Sequence, residues 1–114
     1  MSGQQLNLIG PVAEDYPEFV AWKALAGAGE IMRMYYAYFG FYWKRFQEKR
    51  VKVSVRLIEE KVRDEIREGR ARGVKLDGYS LNSHLTKPIL LHMLANHPEW
   101  RQAVEIREQR RRTQ

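Results

Sequence analysis

The 114-residue chain contains no cysteine, which excludes disulfides, thiolate metal sites and cysteine nucleophiles together. No apolar stretch is long enough to span a bilayer, and the N-terminal MSGQQLNLIGPVAED lacks the basic start and apolar run of a secretory signal. No membrane association is expected, and the location that follows is cytoplasmic. Nor is there a phosphate-binding glycine loop, a dinucleotide fingerprint or a serine, histidine and acid arrangement. The three histidines are badly spaced for one metal: on a continuous helix His84 and His92 stand roughly 12 Å apart along the axis, and the step from His92 to His97 is five residues, not four. The adjacent acids Glu59, Glu60, Asp64 and Glu65 lie beside arginines at spacings that ordinary helix ion pairs explain. No metal site, no cofactor and no catalytic residue is expected, so the reading is non-enzymatic.

What the chain does have is positive charge, unevenly placed. Twenty lysines and arginines face 14 acidic residues, for a net charge of +6 and a pI near 9.8. Residues 1–43 carry two basic and four acidic side chains, whereas residues 44–72 carry eleven basic and six acidic. A segregated excess of this kind favours a polyanionic partner over an acidic substrate.

The length suits one domain. Residues 1–14 read as a flexible arm, 15–109 as a single helical domain and 110–114 as a basic tail. Asp15 caps a first helix over Tyr16 to Ala26, with Gly27 and Gly29 as its stop. A second helix, about Glu30 to Lys49, places Tyr35, Phe39, Tyr42, Trp43 and Phe46 on one buried face, with Tyr36, Tyr38 and Phe41 off it. Residues 50–54, RVKVS, alternate like a short strand before Ser54 caps a third helix, which runs to about Glu68 with Val55, Ile58, Val62 and Ile66 inward. GRARGVKLDGYS then forms a loop or small hairpin with Asp77-Gly78 at its tip, similar to the wing of small DNA-binding domains. A fourth helix starts either from Asn82 or from Thr86, with Leu85, Ile89, Leu90, Met93 and Leu94 inward, and it ends at His97-Pro98. If AVEIRE pairs with RVKVS, the order of elements is that of a winged-helix variant. The expected class is therefore mainly α, a compact four-helix domain with at most a small two-stranded element.

The run VSVRLIEEKVRDEI, the glycine-containing excursion and YSLNSHLTKPILLHMLANHPEWRQAVEIREQR together resemble a group of short bacterial and phage proteins of no assigned activity. Ile58, Glu60, Val62 and Arg63 match that group's first helix, Leu81 and Asn82 its turn, and His97, Pro98, Glu99, Glu105 and Arg107 its C-terminal pattern. Ser83 departs from the second asparagine of the turn, and Leu91-His92 from an alanine-arginine pair. The resemblance covers residues 46 to about 110 and implies a setting in prophages, plasmids or other mobile DNA.

Nucleic acid, duplex DNA before RNA, is the expected partner. The expected contacts are Arg56, Arg63, Arg67 and Arg70 on the third helix, Arg72 and Lys75 on the loop, Asn82, Ser83, His84 and Lys87 at the start of the fourth helix, and Arg107, Arg110, Arg111 and Arg112 toward the C-terminus. The alternative is an interaction module that modulates a host protein, and a homodimer is compatible with either.

Overall fold

A computed structural model describes residues 11–104. Its four α-helices are α1 (Pro17–Lys23), α2 (Ala26–Lys49), α3 (Val55–Ala71) and α4 (Thr86–Asn96), with 3-10 turns at Ala13–Asp15, Ser83–Leu85 and Pro98–Gln102. None of these helices is long and apolar enough to cross a membrane. The chain is mainly helical, and among the described residues there is no strand.

The core forms around α2. Ile31, Tyr35 and Phe39 recur every four residues and are fully buried, and Phe46 continues the same face. Against them lie Ile58, Val62 and Ile66 of α3, Ile89, Met93 and Leu94 of α4, and Phe19 of α1. Tyr42 and Trp43, expected on the same inward stripe, are only half-buried. Trp100 closes the far end as the middle of a stack, 4.5 Å from the Phe39 ring and 4.0 Å from the His97 ring. The helix ends are set locally. Arg50 terminates α2 in the left-handed region (φ 59°), donating its N–H to the Phe46 carbonyl while its guanidinium sits 5.4 Å from the Phe46 ring. Ser54 starts α3 by accepting the Leu57 N–H at 3.2 Å.

Several expectations change in the structure. Among the described residues the two-stranded element is absent: Val53 and Val104 do meet, but in one isolated parallel bridge, with the Val53 N–H on the Ala103 carbonyl at 2.7 Å, and residues 105–108 of AVEIRE lie outside the described residues. Four residues, 50–53, separate the end of α2 from the Ser54 cap, and the 3-10 turn Pro98–Gln102 occupies the approach on the other side, so among the described residues the bridge extends no further. The described part of the expected arm is docked, because Ala13 is buried in the core and its turn packs on α1 and α4.

The largest difference is the loop. α3 runs on to Ala71, and residues 72–82 fold back over the helices instead of projecting as a wing. Gly27 and Gly69 explain this. Tyr79 lies against both, so close that a Cβ on Gly27 would come within 2.4 Å of the Tyr79 amide nitrogen and one on Gly69 within 2.1 Å of its hydroxyl. Gly27 is thus not a helix stop but the contact that admits Tyr79, and α2 starts one residue before it. The Asp77 carbonyl accepts the Gly27 N–H at 2.7 Å and the Gly78 carbonyl accepts the Trp22 indole at 2.9 Å. Both hold the tip against α1 and α2.

Candidate nucleic-acid interface

Arginines 56, 63, 67 and 70 are spaced by seven, four and three residues, which on a helix of 3.6 residues per turn puts them along one edge of α3, about 21 Å from end to end. The folded-back loop runs beside this edge. Arg70 donates to the Tyr79 carbonyl at 2.9 Å and Arg63 to the Leu81 carbonyl at 3.0 Å. These two bonds lay residues 79–81 along the helix and deliver Asn82, Ser83 and His84 next to Arg63. The helix edge, the loop and the start of α4 therefore lie side by side, and Arg72 and Lys75 are exposed just beyond the end of α3.

The members of this edge are not equivalent. Arg63 is held by Glu59 at 2.8 and 3.1 Å in addition to the Leu81 carbonyl, and its side chain is only 35% exposed. It is a strut between helix and loop. Arg56 pairs loosely with Glu60 at 3.6 Å and Arg67 with Asp64, and both arginines are about 70% exposed (72% and 68%). Solvent-exposed pairs of this kind are worth about 0–1 kcal/mol, so each guanidinium can exchange its carboxylate for a phosphate at little cost.

The start of α4 is less open than a bare helix N-terminus. Asn82 Oδ1 accepts the His84 N–H at 2.9 Å, and the Leu85 N–H goes to the Asn82 carbonyl. Asn82 caps the 3-10 turn, whereas Thr86, expected as the alternative cap, is instead the first residue of the α-helix, with Leu85 at the cap position and Pro88 in the first turn. Asn82 is thereby a structural cap, with Ser83, His84 and Lys87 exposed around it. Behind them, the Tyr35 and Thr86 hydroxyls are sealed from solvent and face each other without a well-formed hydrogen bond. Burial pushes the Tyr35 phenol far above its ordinary range, Glu59 adds to this, and Arg63 partly offsets it.

At its other end the edge gains residues that the sequence did not single out. Lys52 donates to the Gln102 carbonyl at 2.8 Å. With the Val53 bridge, this brings Lys52 beside the 101–104 segment, where Arg101 is exposed, just before the N-terminal end of α3. Their signal was the basic run from Lys44 to Lys52, which only a contact distant in sequence connects to Arg101. Arg107, Arg110, Arg111 and Arg112 lie outside the described residues.

A second polar cluster sits apart, at the junction of α1, α2 and α4. Tyr36 Oη is 2.7 Å from His92 Nδ1 and accepts from Asn96 at 2.8 Å, while Lys23 Nζ is 3.4 Å from His92 Nε2. A lysine ammonium can only donate, so the Lys23 contact calls for an unprotonated His92 Nε2. Burial, with Lys23 adding to it, holds His92 below its usual pKa. No group of three or more histidine or acidic side chains among the described residues is placed to hold a metal ion.

Comparison with known proteins finds no match, whether among family models, curated proteins or solved structures. The likeness to short phage and bacterial proteins rests on the quoted residues alone.

Proposed function

We propose that the protein is a small, non-enzymatic nucleic-acid-binding protein, acting on duplex DNA in the cytoplasm and belonging to a phage or other mobile element. The observation that carries this reading is the edge of α3, where well-exposed arginines in weak surface pairs continue into the Arg72 and Lys75 loop, with Lys52 and Arg101 before its N-terminal end. Its contacts are to phosphates: exposed guanidinium and ammonium groups neutralise backbone charge without reading base edges. Binding is accordingly tolerant of sequence. The resemblance of residues 46–110 supports the mobile-element setting.

A mobility shift on a duplex at about 50 mM salt tests the proposal. The wild-type protein shifts the duplex, and a variant with Arg56→Ala, Arg67→Ala and Arg72→Ala does not, although its circular dichroism spectrum is unchanged. A wild-type protein that leaves the duplex unshifted would overturn the reading.

A further inference from the structure

The flank of α3 opposite the basic edge borders an apolar groove. Lys61 and Glu65 lie roughly 200° around the helix from Arg63 and Arg67 respectively. Between them and α2 is a shallow depression of about 550 Å³ with Met34, Ala37, Tyr38 and Tyr42 among its lining residues. At its margin stands Phe41, 58% exposed and edge-on to Tyr42 at 5.1 Å. Tyr38 donates to the Glu65 carboxylate, and this bond, with burial, pushes the phenol up to about 12, so the wall stays neutral. The charged lining residues are Glu30, Arg33, Lys61 and Glu65, two of each sign.

We infer that this groove is the interface with a second copy of the same chain, related by a two-fold axis. An isologous contact brings the same patch to both sides, so the patch must carry both a projection and a hollow, and equal charges of both signs. Phe41 supplies the projection, and the groove beside it supplies the hollow. The rim is electrically neutral on a molecule of net charge +6, so two copies can approach here without the repulsion that their basic edges would meet. A strongly acidic partner would be drawn to those edges instead. The pairing also leaves both basic edges outward.

Sedimentation velocity and light scattering without DNA test this independently of the function proposed above. The wild type should pass from 13.5 kDa to about twice that mass as concentration rises through the micromolar range. Phe41→Glu, at a site already exposed, should keep the circular dichroism spectrum and weaken the dimer by roughly thirtyfold or more, as loss of an interface anchor does. Arg33→Glu, which makes the rim acidic on both copies, should weaken it as well. Val20→Glu, on the exposed face of α1, should leave it unchanged. A wild type that stays at 13.5 kDa up to about 0.5 mM, or a dimer indifferent to Phe41→Glu, would overturn the inference.

Discussion

Replacing Gly27 with alanine should destabilise the fold, although alanine is the better helix former. Both Gly27 and Gly40 lie within α2, where exchanging glycine for alanine ordinarily gains about 0.5–1 kcal/mol. At Gly40 nothing stands within 4 Å of the added Cβ, so Gly40→Ala should realise that gain. At Gly27 the Cβ would sit 2.4 Å from the Tyr79 nitrogen and 2.7 Å from its Cα. These are backbone atoms, and they cannot swing aside as a side-chain tip can. The 72–82 segment must then lift from α2, straining the Asp77 to Gly27 hydrogen bond. Overpacking of this kind costs about 1–3 kcal/mol and outweighs the helix gain. At about 4–8 °C per kcal/mol for a domain near this size, thermal unfolding followed by circular dichroism should show Gly27→Ala melting several degrees below wild type. Gly40→Ala should melt a few degrees above it. If Gly27→Ala melted at or above the wild-type temperature, the close packing of Tyr79 on α2 would be refuted.

Gly69→Ala should be destabilising too, but there the nearest atom is the Tyr79 hydroxyl, so urea unfolding should show partial rescue when Tyr79→Phe is added. Arg63→Ala should lower stability by about 1–3 kcal/mol in the same assay, since it removes hydrogen bonds to Glu59 and Leu81, whereas Arg67→Ala should change it by less than about 0.5 kcal/mol. Stability should also fall as the medium becomes acidic. His92 is held below its ordinary 6.5 by burial and by Lys23, so its contribution is complete above about pH 6.5 and is lost as pH falls toward the depressed value. His92→Gln should flatten the fall in melting temperature as the pH drops below about 6.5.

The helices were legible because their apolar residues recur at helical spacing: Tyr35 with Phe39, Ile58 with Val62 and Ile66, and Ile89 with Met93 all point inward. The Ser54 cap was legible from a serine placed just before such a stripe. The fate of residues 72–82 was not. Glycine reads equally as a helix breaker and as a point of close approach, and only the position of Tyr79, more than fifty residues from Gly27, decides between them. RVKVS misled for a related reason, since its alternation is that of a strand but the adjoining helix ends leave space for one bridge. Within the candidate interface the arginine edge followed from spacing. That Arg63 braces the loop while Arg67 stays exposed depends on where the Leu81 carbonyl falls, which no local pattern encodes.

The salt dependence of duplex binding tests the central claim most directly. Fluorescence anisotropy between about 50 and 200 mM salt should give a straight line of log affinity against log salt, with a slope set by the number of phosphates neutralised. Arg67→Ala, which leaves the fold intact, should reduce that slope by about one and weaken binding to unrelated duplexes alike. A slope near zero, or one that Arg67→Ala and Arg72→Ala together leave unchanged, would contradict a phosphate-binding edge on α3.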